Sequence, residues 1–166
     1  MGRRLVPRNL PELYAYAIDI ERDAANALEK LQHFMRETGN EHLAEELGKI
    51  VREEREQHEL ICLGTAGRQL PEVSGWEYSW HYMGAAIDKR PAPRNTREAL
   101  AQALGVEHRT QAFYIDVAEN SLDDSVRAFS AEMAADEQRH IVRLETLLAR
   151  EPDPALVREE AEHPLA

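Results

Sequence analysis

Cysteine is almost absent. Cys62 is the only one in 166 residues, which excludes an intrachain disulfide, a zinc ribbon and any iron site built from four cysteines. A reducing, cytoplasmic setting fits that usage. Runs rich in Val, Ile and Thr at alternating spacing are also missing, so no sheet is expected. No uncharged stretch approaches membrane-spanning length, and the basic N-terminus Met1-Gly2-Arg3-Arg4 has no apolar core behind it. Neither secretion nor membrane insertion is therefore expected. Positive charge is in deficit, with 20 Lys and Arg against 31 Asp and Glu and a formal net charge of −11. That balance argues against nucleic acid or an anionic membrane as the main partner and favours cations near the surface, although the same excess also serves plain solubility.

What is present is a helix-forming chain. Hydrophobic residues make up 43% and are spread along the sequence, and Ala, Leu, Glu and Arg dominate, as helices prefer. The length suits one domain, residues 1–166, with a real hydrophobic core. Asn9 with Glu12 three residues on reads as the start of a first helix, whose face runs Tyr14, Ile18, Glu21, Ala25, Leu28 and Met35 until Gly39 closes it. Asn40 caps a second, with Leu43, Leu47, Ile50, Glu54 and Ile61 on its face. Asn95 with Glu98 opens a third, with Leu100, Leu104, Glu107, Gln111, Tyr114 and Ala118. Ser121 with Asp124 opens a fourth, with Phe129, Met133, Glu137, Ile141, Leu144 and Leu148, ending before Pro152. Asp153 to Ala166 reads as a short helix or a loose tail. Between the second and third helices, residues 67–94 form a connection too long for a simple hairpin. It carries Trp76, Trp80 and Met83 at helical spacing, which suggests a short helix that lids the core, lines an aromatic pocket or meets a partner subunit.

Each apolar stripe thus contains one glutamate: Glu21, Glu54, Glu107 and Glu137. A buried carboxylate is unfavourable unless something compensates it. Glu137 is followed one turn later by His140 on the same side, and a Glu oxygen and a His nitrogen so spaced can converge on one metal ion. The step from Glu21 to Glu107 is 86 residues and from Glu54 to Glu137 it is 83, so the chain reads as two copies of one helical hairpin. Packed as a four-helix bundle, the four glutamates would meet at one level of the core, and two divalent ions would neutralise them. The alternative is that the faces are misread by a turn and these are ordinary exposed glutamates.

With these residues in place the chain resembles the ferritin-like superfamily of carboxylate-bridged di-iron proteins, and within it the rubrerythrin-type bundles. These pair a lone Glu on helices one and three with Glu-x-x-His on helices two and four. The resemblance covers roughly Leu10 to Arg150, and Phe113-Tyr114 after Glu107 also matches. It implies an all-α, ferritin-like four-helix bundle with a long crossover between helices two and three. It further implies two iron ions held by Glu21, Glu54, Glu107, Glu137 and His140, with Tyr114 as a hydrogen-bonding neighbour of the site. Two positions depart from the family pattern. Gln57 stands three residues after Glu54 where a His is expected, with His58 one place later, and Thr110 stands where a further Glu is common. Either Gln57 or His58 can face inward; a straight helix favours Gln57 and makes the second iron position the weaker one. The activity implied is oxidation of ferrous iron by oxygen or peroxide, rubrerythrin-like, with an external electron donor and a homodimeric assembly. A non-catalytic iron-binding or storage module and a structural bundle with a degenerate site are the alternatives.

Overall fold

The computed structural model describes residues 6–73 and 90–153, and among them there are four long helices and no strand. These are α1, Leu10–Glu37; α2, Glu41–Gly64; α3, Thr96–Asn120; and α4, Asp124–Arg150. The expected short helix around Trp76, Trp80 and Met83, and all of the tail after Asp153, lie outside the described residues.

Local chemistry sets the helix ends. The Asn9 and Asn95 side chains accept hydrogen bonds from the backbone N–H groups of Glu12 and Glu98, at 3.0 and 2.9 Å. Glu12 and Glu98 in turn accept from the backbone N–H groups of Arg8 and Arg94. One orphan helix donor and the N–H of the residue before the cap are thus satisfied in the same way at each start. Asn9 and Asn95 are 86 residues apart, the same step that separates Glu21 from Glu107. Between α1 and α2 the chain turns in three residues. Gly39 has φ +80°, a left-handed conformation that suits glycine, and the N–H groups of Gly39 and Asn40 return to the carbonyls of Arg36 and Met35.

The start of α4 differs from the sequence expectation. Its cap is Asp123, whose carboxylate accepts from the Val126 N–H at 3.0 Å. Ser121 instead terminates α3 in extended backbone, and its hydroxyl accepts from the Asp123 N–H. A carboxylate at the positive end of a helix outcompetes a hydroxyl two residues upstream.

Two apolar clusters fill the bundle. One joins Leu28, Met35, Leu47, Ile50, Leu100, Ala103, Ile141 and Leu144 among others; the second joins Leu13, Tyr16, Ile20, Ile61, Phe113, Tyr114, Val126 and Met133. Leu28, Leu47, Leu100 and Leu144, one from each helix, are fully buried, and truncating any of them to Ala should cost about 2–5 kcal/mol. Along α1 and α4 the chain meets the second cluster before the first, and along α2 and α3 it meets the first before the second. Hence α2 and α3 point the same way, and the connection over residues 65–95 must carry the chain back along the bundle. The four glutamates lie at the seam between the two clusters, because on every helix they fall between the residues that feed one and those that feed the other.

Candidate metal centre

Glu21, Glu54, Glu107 and Glu137 are all buried, none more than 1% exposed, and His140 joins them at 6%. The alternative of four ordinary surface glutamates is therefore excluded. Glu54, Glu107, Glu137 and His140 each offer one ligand atom within 4.8 Å of the other three. Glu21 stands just outside this group. Its Oε1 accepts a hydrogen bond of 2.5 Å from the Tyr114 hydroxyl, across from α3 to α1. Glu54 clusters with the residues of the second hairpin and also neighbours Glu21.

The electrostatics call for positive charge. Glu21 Oε2, both Glu54 oxygens, Glu107 Oε1 and Glu137 Oε2 are buried without a hydrogen-bond partner among the described residues. Buried polar atoms in native proteins are seldom left so. Burial, followed by the neighbouring Glu54 charge, raises the carboxyl groups of Glu21 and Glu137 well above their usual range. Burial also raises Glu54, against the favourable effect of His140. For His140 burial opposes the imidazolium, but the Glu107 and Glu54 carboxylates prevail and hold it up to about 10. Without a cation, then, the centre keeps protons. His140 Nδ1 sits 2.7 Å from Glu54 Oε1 and 3.3 Å from Glu107 Oε2. The approach to Glu54 Oε1 is an ion pair without hydrogen-bond geometry, so that oxygen too has no hydrogen-bond partner among the described residues. Three carboxylates, one imidazole nitrogen and several orphaned oxygens form a hard, oxygen-rich donor set that fits iron or a similar divalent transition metal.

A cavity of about 250 Å³ reaches this centre between α2 and α4. Its walls include Glu21, Glu54, Glu137 and His140 inside and Glu56, Leu60 and Arg139 toward the surface. Gln57 lines it, and His58 does not. The His58 ring lies instead 3.7 Å from Cys62 Sγ, one turn along the same helix. The repeat explains this: 83 residues beyond Gln57 is His140, and 83 beyond His58 is Ile141, which is buried in the apolar core. Thr110, at the family's additional acidic position, is buried and donates its hydroxyl to the Val106 carbonyl at 3.1 Å. No carboxylate is available from that place.

Two residues at the centre carried no signal on the apolar stripes. Glu53, half-exposed, accepts from His140 Nε2 at 2.9 Å and is gripped by Arg143 Nη1 at 2.8 and 2.9 Å. Asp136 accepts from Gln57 Nε2 at 3.3 Å, and the same amide nitrogen lies 2.8 Å from Met133 Sδ. What could have found both is their position immediately before Glu54 and Glu137, at the repeat step of 83 residues.

No curated protein and no solved structure matches the chain. The model of one family, rubrerythrin, matches residues 12–148, a span that holds nearly all of the four helices and every residue of the buried cluster. The bundle with its three clustered glutamates and one histidine is thus a member of the rubrerythrin family.

Proposed function

We propose that the bundle is a di-iron oxidoreductase acting on oxygen or peroxide. The observation that carries this reading is the set of orphaned buried carboxylate oxygens facing one another beside His140 Nδ1, which a pair of divalent cations would satisfy at once. Glu107, Glu137 and His140 would hold one ion, Glu21 the other, and Glu54, which adjoins both, would be shared. Bound iron would supply the electrons that reduce the oxidant.

The chain's own residues prepare that chemistry. Tyr114 donates to Glu21 Oε1 and so fixes which carboxylate oxygen is left for a ligand. The apolar clusters on either side keep bulk water away, which strengthens every electrostatic contact inside. The cavity between α2 and α4 gives a small oxidant its approach. Electrons come from a partner outside this sequence, since one cysteine cannot build a four-cysteine iron site. A cytoplasmic setting and a two-fold dimer complete the reading. No described helix is long and apolar enough to cross a membrane.

A second reading, a module that binds or stores iron without turnover, is favoured by Gln57. Its amide gives α2 no imidazole at the cavity wall, and a neutral amide oxygen is a poorer iron ligand. Ferrous protein mixed rapidly with oxygen or peroxide, with an external reductant present, separates the two. Repeated oxidation and re-reduction supports the enzyme; one stoichiometric oxidation supports the module. A preparation grown with iron that contains no metal by elemental analysis refutes both.

A further inference from the structure

A second cavity, of about 670 Å³, opens on the side of α3 turned away from the metal centre. Ala101, Gly105 and Arg109 line it at successive turns of the helix, and Gly105 stands about 200° around the helix from Glu107. It shares no lining residue with the cavity that reaches the glutamates. Its size is that of a small-molecule site, which commonly spans about 300–1,000 Å³.

The charge of this cavity runs against that of the chain. The sequence carries a net −11, yet Arg90, Arg94 and Arg109 line the cavity with Glu98 as the only acid among its walls. Glu98 is engaged by Arg94, which donates to it from the backbone and from Nε and Nη2. The other two guanidinium groups converge. A Cβ placed on Gly105 would lie 3.1 Å from Arg109 Nη1 and 3.6 Å from Arg90 Nη1, so the bare glycine lets both nitrogens close on one point. Gln102 Nε2 donates to the Pro91 carbonyl at 3.1 Å and so ties the segment that carries Arg90 to α3.

We infer that this cavity binds a small organic phosphate, with the phosphate group between Arg90 and Arg109 above Gly105 and the organic body against Pro91, Ala92 and Ala101. A carboxylate offers two oxygens and is matched by one guanidinium fork, whereas a terminal phosphate offers three and accepts from two forks at once. Two arginines from different segments meeting over one glycine therefore suit phosphate better. The carbon groups of Pro91, Ala92 and Ala101 give an apolar body a surface against which to leave water. The local positive charge also offsets the repulsion that an anion meets from the rest of an acidic molecule.

Calorimetric titration of the full chain, iron-loaded and metal-free, with phenyl phosphate, inorganic phosphate and benzoate tests this. Phenyl phosphate should bind most tightly of the three, and to both forms of the protein. Arg90→Gln and Arg109→Gln should each weaken it by roughly 10–100-fold. Gly105→Ala is the sharper probe. Alanine is the better helix former, so this variant should melt no lower than wild type, yet its methyl group crowds Arg109 Nη1 and should weaken phenyl phosphate several-fold. Undiminished affinity in all three variants overturns the inference, as does inorganic phosphate or benzoate binding as tightly as phenyl phosphate. Binding that requires iron assigns the phosphate to the metal centre and overturns it too. Iron titration of the variants should match wild type; iron binding lost together with phosphate binding would show a disturbed bundle rather than a separate site, and the inference would fail.

Discussion

The two hairpins are built to one plan and finished differently. Caps, buried glutamates and outlying carboxylates recur at steps of 86 residues from α1 to α3 and 83 from α2 to α4. The second hairpin contributes Glu107, Glu137 and His140 to the tight cluster, whereas the first contributes only Glu54. Its Glu21 is tied to Tyr114 and its Gln57 to Asp136. The difference lies in one side chain, imidazole against amide, and it changes how charge is balanced. His140 can take a proton or a cation beside Glu107 and Glu54, while Gln57 takes no proton and offers a cation only a neutral amide oxygen. A duplicated scaffold can thus preserve burial and geometry at both places while the capacity to hold a positive ion is concentrated at one.

The largest effect that should expose this asymmetry comes from removing the imidazole. His140→Ala should weaken metal binding by more than the roughly 10–100-fold typical of losing an outer partner, whereas Gln57→Ala should leave the tighter step within a few-fold of wild type. Metal titration of the purified variants reads both. Equal losses would mean that the two hairpins are functionally equivalent after all.

Acidity should act in opposite directions on metal-free and metal-loaded protein. In the metal-free state Glu21, Glu54 and Glu137 have raised proton affinity when folded, and His140 is held up to about 10. The folded state then binds more protons than the unfolded one. The carboxyl contribution is complete below their ordinary value of 4.5 and lost as pH rises through the raised folded values. The His140 contribution is complete below 6.5 and lost as pH rises toward about 10. Metal-free protein should therefore lose stability between these limits as pH increases. Metal-loaded protein should lose it as pH falls, because protons compete for the same ligand atoms. Denaturation midpoints with and without metal should therefore converge at the acid end of that range and separate as pH rises.

Restoring symmetry is the next test. Gln57→His places an imidazole opposite His140 and next to Asp136, and should strengthen the second binding step, while His58→Ala should change it little. Loss of the second step in His58→Ala would show that α2 turns its histidine inward when metal binds. The smallest expected effect belongs to Tyr114→Phe, which deletes one buried hydrogen bond to Glu21 and should cost about 1 kcal/mol in urea denaturation of the metal-free protein. The tighter metal step, which does not involve Glu21, should be unaffected.

Much of this was legible along the chain. Asn9, Asn40 and Asn95 announce helix starts because a short polar side chain just before an apolar stripe satisfies orphan N–H groups wherever it occurs. The start of α4 was misread at Ser121 because Ser121-Leu122-Asp123-Asp124 offers several capping groups. The repeat would have resolved it, since Asp123 stands 83 residues after Asn40. The four glutamates stood out because each interrupts an apolar stripe, a local contradiction that only a buried, neutralised site removes.

Helical periodicity and capping depend on near neighbours, so four amphipathic helices, their order in two similar hairpins and the four glutamates and one histidine set in the apolar stripes can all be read along the chain. Only the tertiary structure decided that Glu54 joins Glu107, Glu137 and His140 while Glu21 turns to Tyr114. It alone brought Glu53 to the far nitrogen of a histidine 87 residues away. Those pairings cross between helices, and which oxygen meets which nitrogen there depends on how the helices rotate against one another, a quantity that packing sets and spacing along the chain does not record.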